Sequence, residues 1–391
     1  MKSLSLRMQR SSTQFFAALS AKIAQLQAAG KDVLRLDIGS PDMPPAPHIV
    51  EAMQRAVADP RMHGYGSHKG PLALRKAWGN LYLRLHGVAL DTESEILPLM
   101  GSKEGIFHLS QAFLDPGDVA LIPDPGYVTY AAGANFAGAE AWFMPLLPEN
   151  SYLPDFSAIP GEILRRAKLL WLNYPNNPTA ATAPKEFLAE AVRFARQHDL
   201  LLCHDAAYAQ VGFAGYRPPS VMEIPAAKET AIEFNSLSKS HNMAGWRVAA
   251  AVGNAPALKA LFTLKTNLDS GHFPAIHEAC IAALTGDQEW LDERNEVYRQ
   301  RRDILLQGLR AVGLNPLTPQ ASLYIWSPVP AGQTSLQFTT ALLENAGVSF
   351  TPGSIFGQYG EGFMRIAVSS PTDEVVEAVQ RVKAYLGKTG G

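Results

Sequence analysis

The chain has 391 residues, 47% of them hydrophobic and 18% charged, with a formal net charge of −2. That is apolar material for a sizeable core, and at roughly 150 residues per domain it predicts two to three domains. The near-neutral balance gives no basis for binding nucleic acid or an anionic membrane surface. Two cysteines far apart, Cys203 and Cys280, argue against a disulfide framework or a cysteine zinc site and fit a reducing cytoplasm.

The N-terminal stretch "MKSLSLRMQRSSTQFF" lacks the apolar core of a signal peptide, and no apolar run is long enough to span a bilayer. Residues 14–29 read as an amphipathic helix ending at Gly30, and "VLRLDIG" (33–39) as a short strand. The proline-rich loop 40–47 is a joint between domains, and a helical pattern resumes over 48–58. "GSKEGIFHLSQAF" predicts a helix with Ser102 as its N-cap and Ile106, Leu109 and Phe113 on one face. "VALI" is a strand ended by Pro123. Further strands are expected at 169–173, 200–205, 231–236 and 248–253, with a helix over 184–198. Short apolar strands alternating with helices predict an α/β fold with a mostly parallel sheet covered on both faces. A long helical stretch, 274–311, breaks near Gly286. Beyond it "SLYIWSPV", a helix at 335–346, "VSFTPG", "FMRIAVS" and a helix at 373–386 form a smaller α+β region. The expected division is an N-terminal arm (1–47) joining the small domain, a large domain (48–285) and a small C-terminal domain (286–391).

Three of the central strands run into polar clusters. "LLWLN" is followed by "YPNNPT", with Asn173, Asn176 and Asn177. "LLLC" is followed by "HDAAY", with Asp205 and Tyr208. "AIEFN" is followed by "SLSK", with Ser236, Ser238 and Lys239. Open α/β sheets bind ligands outside the carboxyl ends of their strands, so an acid, a phenol, an amide and a lysine are expected in one crevice. "GSK" (101–103) adds a helix N-terminus suited to a phosphate. Taken singly, each residue has an ordinary explanation as a cap, a turn or a solvated charge. Together they suit catalysis by pyridoxal 5′-phosphate (PLP), which needs a lysine for a Schiff base, a carboxylate for the pyridinium nitrogen, and a phosphate cradle.

With these residues in place, the sequence resembles the class I/II aminotransferases of PLP fold type I over nearly its whole length. The family's S-x-[SA]-K segment, with an arginine eight residues on, is similar to Ser236, Ser238, Lys239 and Arg247. Its Asn-Pro turn resembles Asn177-Pro178, and its D-x-[AG]-Y element resembles Asp205 to Tyr208. The resemblance implies that Lys239 holds PLP and shuttles the proton at the substrate Cα. Asp205 would pair with the pyridine nitrogen, Tyr208 and Asn177 would bond the ring's 3′-oxygen, and Tyr127 would stack on the ring. Ser102, Lys103, Ser236 and Arg247, with Ser238 beside them, would surround the phosphate. Tyr65, in "HGYGSHKG", would reach the phosphate of a partner subunit. Arg365 and the Gly39 N–H would take the substrate α-carboxylate. It further implies ping-pong transfer between an L-amino acid and a 2-oxo acid, by a homodimer with shared active sites.

"LPLMGSKEGIFHL" and "DPGDVALIPDPGYVTY" look most like the LL-diaminopimelate aminotransferase branch. Two departures stand out: Gln14-Phe15-Phe16 replaces a Tyr-x-Phe context, which bears on the substrate, and Ala180 replaces a glycine after Asn-Pro-Thr. The alternatives are a PLP-dependent C–S β-lyase, which shares the fold and lysine, and a PLP-binding regulator, for which the chain has no basic DNA-binding segment. Metal binding finds no support: His272 and His277 are five apart and there is no HExxH. "GYGSHKG" is neither a Walker loop nor a dinucleotide fingerprint.

Overall fold

The computed structural model describes residues 3–9 and 15–389. Its strands are β1 (Leu34–Arg35), β2 (Ile96–Leu99), β3 (Val119–Asp124), β4 (Glu140–Pro145), β5 (Ala167–Asn173), β6 (Leu201–Asp205), β7 (Ala231–Ser236), β8 (Ala249–Gly253), β9 (Tyr324–Pro328), β10 (Val348–Ser349), β11 (Thr351–Pro352) and β12 (Phe363–Ala367). Seven form one sheet in the order β2-β8-β7-β6-β5-β3-β4. The pairs among β7, β6, β5, β3 and β4 are parallel, whereas β8 runs antiparallel to both β2 and β7.

The period of two along each strand builds this sheet. On β5, Leu170 and Leu172 enter one buried cluster while Leu169 and Trp171 enter the cluster on the other face. Val119 and Leu121 part from Ala120 and Ile122 in the same way, as do Ala250 and Val252 from Ala249 and Ala251. Successive strand side chains point to opposite faces, so continuous apolar runs are stable only when helices cover both. Each fully buried leucine contributes roughly 1.5–3 kcal/mol.

A separate core gathers Leu36, Tyr298, Phe338, Ile366 and Val375. Here β1 pairs parallel with β10, placing Leu34 opposite Val348, and β11, β12 and β9 form an antiparallel sheet. Residues near the start of the chain are thus bonded to residues about 300 positions later.

Several expectations need correction. The first long helix spans Phe15–Ala28, and Gln14 lies outside the described residues. Ser102 is not the N-cap of its helix; Gly101 is, with φ +86, and Ser102 is the first helical residue of Ser102–Phe113. A side chain at Gly101 would run into the Arg247 guanidinium, so glycine is favoured there by both backbone and space. β3 does not stop at Pro123 but continues to Asp124 beside β4; its pairing with β5 has already ended at Leu121, so the missing proline N–H falls past that ladder. The predicted helix at 335–346 is α-helical only to Ala341 and closes with a π-turn over Leu342–Ala346. The helix Leu72–His86 and strands β2 and β4 carry weaker periodic signals and were not expected.

Candidate active site

The carboxyl ends of β5, β6 and β7 lie side by side. Asn173 stands opposite Asp205, and Asp205 opposite Phe234, two residues before Ser236. Asn173 ties this edge together: its amide donates to the Asp205 carbonyl at 2.7 Å and its Oδ1 accepts the Asn177 N–H at 2.8 Å. Asn176 accepts from the Thr179 N–H and hydroxyl, which shapes the turn in which Ala180 takes φ +58. That is a backbone region costing a non-glycine residue about 1–2 kcal/mol.

Ser236 caps the one-turn helix Leu237–Ser240 by accepting the Ser238 N–H at 3.2 Å, and this turn presents Lys239. Lys239 Nζ donates to the Gly39 carbonyl at 2.5 Å. Burial lowers its pKa, helped by the Arg365 and Arg247 guanidiniums and opposed by Tyr324. An amine that loses its proton more readily is the form that can act as nucleophile or base. Behind it, the buried Arg294 donates to the Lys239 and Ser240 carbonyls, satisfying the end of the turn.

Asp205 is only 4% exposed. Burial raises its pKa, while hydrogen bonds from the Tyr130 hydroxyl (2.8 Å) and the Ala207 N–H (3.2 Å) pull the other way. No cation among the described residues lies within hydrogen-bonding distance of this carboxylate. Tyr130 is held by stacking on Trp171, with centroids 5.0 Å apart, and carries Tyr127 edge-on at 5.7 Å. The Tyr208 hydroxyl lies 2.8 Å from that of Tyr324, and burial keeps Tyr208 protonated far above neutral pH.

Arg365, on β12, points into the same space. It donates Nη1 to Asn177 Oδ1 at 2.8 Å and Nη2 to the Asp37 carbonyl at 2.8 Å, but its buried Nε has no partner. The guanidinium is walled by Tyr324, Phe356 and Phe16 at 4.3, 4.8 and 5.7 Å. At Gly39 a side chain would strike the Tyr324 hydroxyl.

On the opposite side Gly101 and Ser102 open their helix beneath Arg247, which is exposed, has φ +58, and donates Nη1 to the Ala244 carbonyl at 2.9 Å. Lys103 is exposed, so its backbone N–H rather than its ammonium belongs to this corner. Tyr65 is the outlier. It is 95% exposed on a loop that packs near the His272 carbonyl, and within one chain it meets none of the others.

These residues fit PLP. A buried carboxylate lacking a cation suits a protonated ring nitrogen. A shielded lysine amine suits the aldehyde, and a helix N-terminus under an arginine with spare N–H groups suits a phosphate. The unpartnered Arg365 Nε suits a carboxylate. The sequence reading missed Tyr130, Tyr324 and Arg294. The first two carry a faint signal, a phenol inside an otherwise apolar run, but nothing local announces Arg294.

The family description "Aminotransferase class I and II" matches residues 31–382. An LL-diaminopimelate aminotransferase of Moorella thermoacetica is 48% identical, covering 95% of this chain and 96% of its own. The substrate-bound BacF from a Bacillus superposes with a TM-score of 0.95 at 37% identity, covering 98% of each chain. A Thermus thermophilus aspartate aminotransferase mutant gives 0.91 at 31%, covering 98% and 100%. The chain therefore belongs to the class I and II aminotransferases, and is a PLP-dependent enzyme that moves amino groups between amino acids and 2-oxo acids.

Proposed function

We propose that Lys239 is the covalent attachment point for PLP and the proton carrier of the reaction, with LL-diaminopimelate as amino donor. The observation that carries the site assignment is the convergence of a half-buried lysine amine, a buried carboxylate with no cation in hydrogen-bonding distance among the described residues, and an arginine with an unpartnered N–H. The donor assignment is supported by relatives of that name at close to half identity over nearly the full length.

Bound PLP supplies an aldehyde for covalent attachment and a ring that takes up the electron pair left at the substrate Cα. The chain's residues do the rest. Arg365, with the Gly39 N–H, holds the α-carboxylate and so fixes which Cα bond faces Lys239. Lys239, neutral and held near Gly39, takes the Cα proton and returns it on the other side of the transfer. Asp205 keeps the ring nitrogen protonated, and Tyr130 holds Asp205. Asn177 and Tyr208 donate to the ring oxygen. Ser102, Lys103, Ser236, Ser238 and Arg247 form the phosphate corner, and Tyr127 covers the ring. Tyr324 links Tyr208 to the Arg365 pocket.

The same reading places 48–285 in a large PLP-binding domain and 1–47 with 286–391 in a small one, supported by the separate core around β9–β12 and the pairing of β1 with β10. Tyr65 then serves the partner of a homodimer, a reading supported by its exposure on a glycine-flanked loop. Mixing Lys239→Ala with Tyr65→Ala subunits under verified exchange should restore activity above both parents, because one heterodimer site keeps both residues. If Tyr65→Ala is severely impaired and no activity returns, the shared site is wrong. The cytoplasm remains the compartment we assign, supported by two buried free thiols.

A second donor class is favoured by one observation. Phe16 stands against Arg365 in the described arm, beside Phe356 and Trp326, so the carboxylate end of the pocket has apolar walls that suit an apolar or aromatic amino acid. A panel of amino donors, read by the half-reaction absorbance change of the PLP enzyme, separates the two. Turnover of LL-diaminopimelate supports the first donor; its absence alongside turnover of phenylalanine-like donors establishes the second.

A further inference from the structure

Lys265 ends the helix Ala255–Lys265 and is 1% exposed, one of the largest fully buried side chains of the molecule. Its Nζ reaches Glu104 Oε1 at 3.1 Å and both Asp269 oxygens at 2.9 and 2.8 Å. A buried ammonium shared by two carboxylates is costly unless its geometry is good, and here all three contacts are within hydrogen-bonding range.

The two carboxylates belong to the two halves of the phosphate corner. Glu104 lies in the first turn of the helix opened by Gly101 and Ser102, and its Oε2 accepts the Met100 N–H at 2.5 Å, fixing the approach to Gly101. Asp269 accepts the Gly271 N–H at 2.7 Å, setting the turn before His272. His272 Nε2 lies 2.8 Å from the Arg247 carbonyl. One face of Lys265 thus governs the helix N-terminus, and the other governs Arg247 through His272. The arginine is packed so closely over Gly101 that no side chain fits between them. Burial works against ionisation of Glu104, but His108 and Lys265 outweigh it and hold the carboxyl below its ordinary range. Two acids thus lie behind an anion site, with the Lys265 ammonium between them and His108 Nδ1 3.6 Å from Glu104.

We infer that Lys265 is a positioning residue for the cofactor phosphate, joining the helix at Gly101–Ser102 to the Arg247 segment and cancelling negative charge that would otherwise face the phosphate. The inference rests on the site assignment made above. Lys265 touches neither cofactor nor substrate. Its effect is carried by the placement of N–H groups and by charge, and it concerns only the phosphate end of PLP.

Dissociation constants of apoenzyme variants for PLP and for pyridoxal, which lacks the phosphate, test it. Lys265→Met should weaken PLP by about tenfold or more, roughly 1.4 kcal/mol or more, while pyridoxal stays within about twofold. The phosphorus resonance of bound PLP should move as well. Asp269→Asn keeps an acceptor for the Gly271 N–H and for Lys265 but removes one negative charge, so its PLP affinity should equal or exceed that of the parent. A purely structural ion pair predicts the contrary: both variants would lose affinity, for PLP and pyridoxal alike, and that result overturns the proposal. Should Lys265→Met not fold, the sign for Asp269→Asn decides, and a fall in its PLP affinity rejects the role. Reduction with borohydride and peptide mapping of the parent enzyme reports separately on the site. A label away from Lys239 would reject the site assignment, whereas a label at Lys239 with an unchanged PLP-to-pyridoxal ratio in Lys265→Met would reject this inference alone.

Discussion

The proposed ring side of the site and the proposed carboxylate corner are built in opposite ways. Asn173 to Asn177, Asp205 to Tyr208 and Ser236 to Lys239 each lie within a few residues of a strand end, and neighbouring parallel strands in register bring them together. Arg365 instead finds its partners at Asp37, Asn177 and Thr351, from separate parts of the chain. Strand register sets where the first region's residues stand along the large sheet, and the smaller core and the arm then add single contacts, Tyr324 to Tyr208 and Gly39 to Lys239. The second exists only where the sheet containing β12 meets the large sheet. If so, changes on the ring side should impair the chemistry itself, and changes at the corner should impair the choice of substrate.

The largest effect is expected from Lys239→Ala. It removes the proposed attachment point and proton carrier together, so turnover should fall by about 10⁴-fold, the upper range for general acid–base groups. Borohydride should leave no label on the variant's peptide 237–240. Substantial turnover would mean that another residue moves the proton.

Asp205→Asn follows, with a fall in kcat of about 10³-fold. It should also stabilise the apoprotein. Because the folded pKa of Asp205 lies above its unfolded value, its favourable contribution is complete below the ordinary carboxylate pKa and is lost as pH rises through the folded value. The variant should therefore be more stable than the parent apoprotein near neutrality, by about 1 kcal/mol, with the gap closing in acid. Denaturant midpoints at pH 4 and pH 7 measure it. A gap that widens in acid would contradict the buried, cation-free description of this carboxylate.

For the corner, Arg365→Lys should reduce kcat/KM for amino acids by about 100-fold, within the ~2–5 kcal/mol lost when one side of a buried charged pair is removed. An amine of the same side chain without the carboxylate should lose far less. Equal losses would assign Arg365 to structure rather than recognition.

The mildest change, Tyr324→Phe, tests the join between the regions. It removes the hydroxyl that meets Tyr208 but keeps the ring against Arg365. A fall of about tenfold or less is expected, the worth of one buried hydrogen bond. It should appear in kcat more than in KM, and the reverse split would place Tyr324 on the corner's side.

The sequence by itself determined what local chemistry and periodicity can encode. The nearly continuous apolar run within Ala167–Asn173 dictates a strand buried on both faces, and Gly286 ends a helix where its pattern breaks. Lys239, Asp205 and Arg247, which we propose for the site, stand out in the sequence because strand ends, turns and motif spacing lie close together along the chain. What only the tertiary structure decided depends on long separations. Gly101 rather than Ser102 opens its helix because Arg247, far away in sequence, occupies the space a side chain would need. Arg294 looks like any surface cation on a polar helix until folding aims it at the carbonyls of Lys239 and Ser240. Lys265 gains its meaning from Glu104, more than 150 positions earlier. A buried charge is defined by what replaces its water, and those partners are set by packing rather than by neighbours in the chain.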